Sequence, residues 1–239
     1  MSTLPSYFIS HGGGPWSYMD GPFRRQFDRL EQALKAIPSG LEQTPQAILM
    51  ISGHWQTEGF HVMANGHPPM VYDYSGFPEH TYDIVYPAPG APQLAQKVME
   101  MLQSAGLPSA LDHEQGFDHG CFVPMSVMYP EAQMPVIQMS LQIDNDPALH
   151  IRAGEALAPL REQGVLIMAS GLSYHNLRRM GAEAAGPSAA FDAWLQDSLV
   201  GRPAEFRRQR LNQWETAPAA REAHPHEDHL LPLMVAAGA

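Results

Sequence analysis

Basic residues are scarce in this chain: 14 lysines and arginines stand against 25 aspartates and glutamates, a net charge of −11 over 239 residues. So acidic a surface repels nucleic acid and anionic membranes, and neither is an expected partner. The local basic run Arg207, Arg208 and Arg210 reads as a solvated helix face. Cysteine is scarcer still. The single Cys121 excludes an internal disulfide and an all-cysteine metal site, and reads as a small buried hydrophobe. No apolar run approaches the roughly 18 residues of a membrane-spanning helix, and no charged-then-apolar signal pattern opens the chain. A cytoplasmic location is the expectation. Glycine-rich phosphate loops are missing as well.

Proline and histidine are abundant instead. The 22 prolines imply many ordered loops between regular elements. Hydrophobic residues at 44% and charged residues at 16% suit one globular domain covering residues 1–239. Short apolar runs at Tyr7–Ser10, Ala47–Ser52, Met70–Tyr74, Pro135–Leu141 and Val165–Ala169 have the length of buried strands. Helical patterns occupy Arg24–Ala36, Ala91–Ala105, Pro147–Leu160, Ser188–Val200, Pro203–Trp214 and Pro225–Ala237. The alternation predicts a single-domain α/β fold, with a largely parallel central sheet flanked by helices on both faces. The Pro-, Gly- and Tyr-rich stretch from Gly66 to Gly90 reads as a structured surface excursion, of the kind that supplies lids and binding loops.

Twelve histidines are present, and their positions carry the functional reading. Ligands of open α/β sheets bind beyond the carboxyl ends of the strands. His11 follows the first predicted strand, His54 the second and His175 a later one, each near glycines that let the backbone turn and approach a ligand. A further group, His224, His226 and His229, lies where Pro225 is expected to open the last helix. Three imidazoles at equivalent strand ends point to a metal or catalytic cluster. Imidazole suits zinc, iron, copper and nickel alike, so ligand type does not name the ion. His119, in Gly116-Phe117-Asp118-His119-Gly120, is a loop histidine by pattern, and Asp118 and Glu227 are candidates to orient imidazoles. Trp55, Tyr72, Tyr74, Phe77, Tyr82 and Tyr86 make the middle of the chain aromatic, as packing residues or as a wall for a planar substrate.

Other motifs fail on detail. His11-Gly12-Gly13-Gly14 matches the oxyanion loop of lipase-like esterases, but Gly171-Leu172-Ser173-Tyr174-His175 lacks the second glycine of a nucleophile elbow. His226-Glu227-Asp228-His229 is one residue short of the zincin H-E-x-x-H, which needs its histidines at i and i+4.

Seven segments in order resemble the class III extradiol ring-cleavage dioxygenases, specifically the DOPA 4,5-dioxygenase branch related to the catalytic subunit of protocatechuate 4,5-dioxygenase. They are ISHGGGP (9–15), SGHW (52–55), YDYSGFPEHTYDIVYPAPGAP (72–92), GFDHG (116–120), MYPEAQMPVIQMSLQ (128–142), HNLR (175–178) and PHEDHLLPL (225–233). Against the family's short SHG-x-P form, the 11–15 tract carries one extra glycine. The resemblance implies a single non-haem metal, Fe(II) in the active enzyme and often Zn(II) in isolated protein. By the same resemblance His11, His54 and His229 are metal ligands. His175 is a fourth ligand or the acid/base, and His119 touches the substrate or the bound oxygen. The implied reaction opens a catechol such as DOPA or a related catechol acid with O2, in a monomer or small homo-oligomer. Two other readings use the same cluster: a zinc hydrolase that lowers the pKa of bound water, and a non-catalytic metal- or catechol-binding protein. Arg178 and Arg179 are candidates for a substrate carboxylate, with surface charge or helix capping as the plainer alternative.

Overall fold

The computed structural model of the chain describes residues 2–239. Strands β1 (Ser6–Ser10), β2 (Ala47–Thr57), β3 (Phe60–Met63), β4 (Ser109–Asp112), β5 (Val136–Gln142) and β6 (Val165–Gly171) form one sheet in the order β1-β6-β2-β5-β3-β4. The first four in that order are mutually parallel; β3 runs antiparallel to β5, and β4 lies parallel to β3. Nine helices surround it: α1 (Gly21–Arg25), α2 (Asp28–Gly40), α3 (Pro92–Ser104), α4 (His119–Met128), α5 (Pro147–Leu157), α6 (Ala185–Leu199), α7 (Ala204–Asn212), α8 (Ala220–Ala223) and α9 (Leu231–Gly238), among the described residues.

The sheet is covered on both faces, which is why its parallel strands read as unbroken apolar runs. Side chains alternate along a strand, so each run serves two cores. Leu49, Ile51, Ile137 and Ile167 pack toward Val98 of α3, Leu157 of α5 and Val235 of α9. Ile48, Met50, Leu166 and Met168 pack toward Leu34 of α2 and Phe122 and Met125 of α4. Each such side chain, fully removed from water, contributes about 1.5–3 kcal/mol.

Two sequence expectations are corrected. Met70–Tyr74 is a loop, tied to the rest by one parallel bridge from Met70 to Phe117. Its alternating tyrosines anchor the loop to itself, the Tyr72 hydroxyl donating to Ile84 O (2.6 Å) and that of Tyr74 to Thr81 O. The final helix opens at Leu231 with Pro232 in its first turn, and the residues from Pro225 to Leu230 form a turn ahead of it. The excursion between Gly66 and Gly90 closes on itself through Gly90 N–H to Gly66 O (3.0 Å). Its buried Ile84, Tyr86 and Ala88 join the core on the α4 side. Among the described residues, no helix is long and apolar enough to cross a membrane.

Candidate metal centre

Strand β6 lies between β1 and β2, with Ser170 level with Ile9 on one side and Ser52 on the other. His11 leaves the end of β1. His54 stands within β2, which continues to Thr57 past the predicted end at Ser52. The turn before α9 lays Asp228 and His229 across the ends of β2 and β6. That approach demands glycine beneath it: a Cβ on Gly171 would sit 2.2 Å from His229 O, and one on Gly53 3.0 Å from Asp228 O. The contact is fixed by Leu172 N–H donating to His229 O (3.0 Å).

Three imidazoles meet there. His54 Nε2 lies 3.1 Å from His11 Nε2 and 3.1 Å from His229 Nε2. The protons of the three rings are accounted for elsewhere. Ser170 Oγ donates to Gly120 O (2.5 Å), so toward His11 Nδ1 (3.0 Å) it can only accept. His229 Nδ1 faces the carboxylate of Asp228 (2.8 Å), and His54 Nδ1 faces that of Asp73 (3.2 Å); a carboxylate only accepts. Every Nδ1 is thus the donor and every Nε2 carries a lone pair toward the common point. Lone pairs so placed repel unless a cation lies between them. Metal–imidazole bonds of about 2.0–2.1 Å, at angles between square and tetrahedral, separate neighbouring nitrogens by about 2.9–3.4 Å. The three histidines therefore fit one metal ion, and carboxylate- or hydroxyl-held Nδ1 atoms are how such ligands are oriented.

The remaining predicted residues flank this trio. His119 opens α4, its backbone N–H donating to Asp73 Oδ1 (3.0 Å) and its Nδ1 paired with the same oxygen (2.8 Å). Its ring centroid lies 3.9 Å from that of His54. His175 stacks on His229, centroids 3.4 Å apart, and its nitrogens group with Asp228 and His229 rather than with His11 and His54. His224 stands apart: it is buried near Phe191 and Trp214 and bonds Ser173 O (3.1 Å). His226 is exposed.

The orienting acids differ from those expected. Asp118 is buried and accepts from Ser52 Oγ (2.8 Å), Gln138 Nε2 (2.9 Å) and Cys121 N–H (3.1 Å), capping α4 and leaving the imidazoles alone. Ser52 Oγ in turn accepts from His54 N–H (3.2 Å), so Asp118 acts on the trio through the backbone. Glu227 is bound to Arg221 at 2.7 Å. Asp73 and Asp228 hold the rings. Asp228 could have been suspected from its place beside His229, whereas Asp73 arrives from the Gly66–Gly90 loop and nothing in its neighbours marks it.

Burial, then the mutual repulsion of neighbouring histidines, holds the imidazoles of His11 and His54 well below their ordinary range. Burial likewise brings His175 and His224 to about 4. The unfolded chain binds these protons near pH 6.5 and the folded chain does not, so stability falls as pH drops from about 6.5 toward 4. His224 alone accounts for roughly 3 kcal/mol of that loss. Asp118, raised by burial to about 6, works the other way and offsets part of it. The urea midpoint of metal-free protein is expected to be clearly lower at pH 5 than at pH 7.5; an unchanged or higher midpoint would contradict these environments.

Fold and site together define an α/β protein whose clustered histidines could hold a metal ion. The protein-family profile described as the catalytic LigB subunit of aromatic ring-opening dioxygenase matches residues 5–239, and the chain belongs to that family. It is a metal-dependent aromatic ring-opening dioxygenase, whose reactants are an aromatic compound and O2. The chain is 40% identical to the 4,5-DOPA dioxygenase extradiol of Portulaca grandiflora, over 100% of its own length and 87% of the relative's. It is 39% identical to that of Beta vulgaris, over 98% and 86%. The crystal structure of an uncharacterized Escherichia coli K12 protein superposes with a TM-score of 0.75 at 30% identity, covering 98% of this chain and 88% of that one.

Proposed function

We propose that residues 1–239 act as one catalytic domain that opens a catechol ring beside its two hydroxyls, on a substrate such as DOPA or a related catechol acid. The convergence of three Nε2 lone pairs at 3.1 Å spacing, in a chain of this family, is the observation that carries the reading. His11, His54 and His229 are the ligands in this proposal. Fe(II) supplies a site where diol and dioxygen meet and a path for electrons between them, which zinc, having no redox chemistry, lacks. Ferrous iron persists in a reducing compartment, so the cytoplasm is the proposed location.

The chain's own groups do the rest. Asp228, Asp73 and Ser170 keep the ligand nitrogens deprotonated toward the ion. His175, with its conjugate acid near 4, is neutral at physiological pH and free to take a proton from the diol and return it. Its grouping with Asp228 favours this role over that of a fourth ligand. His119, its Nδ1 proton on Asp73, presents Nε2 to the substrate or the oxygen beside it.

Protein reconstituted anaerobically with Fe(II) is expected to consume O2 with catechols and form a yellow ring-opened product, while zinc-loaded protein binds the same catechols and consumes none. No uptake across a broad catechol panel, by protein shown to carry one Fe(II), would exclude the reaction. Anaerobic hydrolysis by the zinc form would favour the hydrolase instead.

A further inference from the structure

A cavity of about 560 Å³ opens between the loop after β6 and the turn before α9, lined by His175, Asp228, Gln56, Asn176, Arg178 and Arg179 among others. It adjoins the metal centre at two points. His175 lies flat on His229. Asp228 faces His229 Nδ1 (2.8 Å), and Gln56 stands two residues beyond His54 on β2.

The two arginines of this cavity are not equivalent. Arg179 is bound to Glu222 at 2.8 Å. The guanidinium of Arg178 has no ion pair and no hydrogen bond among the described residues; only its backbone is engaged, Arg178 N–H donating to Asn176 Oδ1 (3.2 Å). Asn176 is buried and donates to Glu222 O (2.8 Å), so the loop that carries the free cation is pinned. Other polar groups of the wall are engaged with the protein. Gln56 donates to Asn145 Oδ1 (3.0 Å), and Asp228 directs one carboxylate oxygen to His229 while the other, buried without a hydrogen-bond partner, lies 4.0 Å from His175 Nδ1. Of the two arginines that a substituent reaching out from a ring at the centre would meet, Arg178 is the one without a carboxylate partner. A guanidinium is planar and forked, shaped to grip a carboxylate through two parallel hydrogen bonds.

We propose that Arg178 binds a carboxylate on the substrate's side chain, so that this site selects catechols with an anionic tail. The assignment rests on the ring-cleavage reading above and adds the residue that would discriminate among catechols. Anaerobic calorimetry on zinc-loaded protein tests it without turnover, comparing a catechol carrying a short carboxylate chain with 4-methylcatechol. Wild-type protein is expected to bind the carboxylated catechol about 10- to 100-fold more tightly, the range of a charge-assisted hydrogen bond. Arg178→Gln loses that preference and keeps its affinity for 4-methylcatechol, and Arg178→Lys keeps part of the preference and the same 4-methylcatechol affinity. With Fe(II), the same loss appears in KM for the carboxylated substrate, with kcat little changed. Equal binding of the two catechols by wild-type protein, or a preference that survives Arg178→Gln, overturns the assignment alone. Binding of neither overturns the catechol reading and Arg178's role together.

Discussion

Replacing His54 by alanine is expected to empty the metal centre and to lower ring-opening activity by about a thousandfold or more, the scale of losing the ion that holds both reactants. Of the three nitrogens, that of His54 is central, with His11 and His229 each 3.1 Å from it. Without it, two ligands remain, too few for the coordination such sites use. The expected effect on stability separates this loss from simple unfolding. In metal-free protein His54 contributes a lone pair crowded between two others, so its removal relieves repulsion while costing some packing. Metal-free wild type and variant should therefore melt close together. Metal separates them: an ion at a hundred times its Kd stabilises the wild type by about 2.7 kcal/mol, on the order of 8 °C for a chain this size. The variant should show no such shift. A His54→Ala protein that retains one metal per chain and wild-type oxygen uptake would sink the ligand assignment.

The legible part of this centre is the part that depends on strand ends. β2, β5 and β6 are buried on both faces and the edge strand β1 in part, so Phe8-Ile9, Ile48–Ile51, Val136-Ile137 and Val165–Met168 stand out as apolar runs, and the histidines beyond them follow. What was missed has equally physical causes. β3 and β4 have four residues each, too few for an alternation to declare itself. Helix α4 is buried on every side except at Ser126 and contains Pro124, so it has neither an apolar stripe nor an uninterrupted helical composition. Its first residue, His119, accordingly reads as a loop histidine in the sequence. Met70–Tyr74 mimicked a strand because tyrosines that anchor a loop can alternate as strand residues do. The proline at Pro225 suggested a helix start where the chain instead turns, and that turn is what brings Asp228 and His229 over Gly53 and Gly171. Asp118 and Glu227 were plausible orienting acids by proximity in the chain. Proximity in space chose Asp73, more than forty residues from His119 and carried in by a loop whose own ends meet.

Asp73 is the residue on which the second large effect is expected. Its Oδ1 takes both the backbone N–H and Nδ1 of His119, and its Oδ2 faces Nδ1 of His54. Burial alone would raise this carboxyl, but the hydrogen bond and charge of His119 and the charge of His54 bring it below the usual carboxylate range, so it stays ionised between the two rings. One carboxylate therefore sets the tautomer of a ligand and of the histidine proposed to face the substrate. Asp73→Ala frees both rings to flip or to carry their proton on Nε2, where it blocks the metal on one and removes an acceptor on the other. Losses of about 10- to 100-fold in metal affinity, and similar losses in kcat at saturating Fe(II), are the scale of such outer partners. Asp73→Asn is the sharper variant. Its amide keeps the shape but has one acceptor oxygen where the carboxylate has two, so it can serve His119 or His54 and not both. If the oxygen stays with His119, metal affinity falls while kcat at saturation is largely kept; if it turns to His54, the reverse. Chelator competition for the metal and steady-state oxygen uptake distinguish these outcomes. Retention of both quantities within twofold in Asp73→Ala would show that the two rings hold their orientations without it.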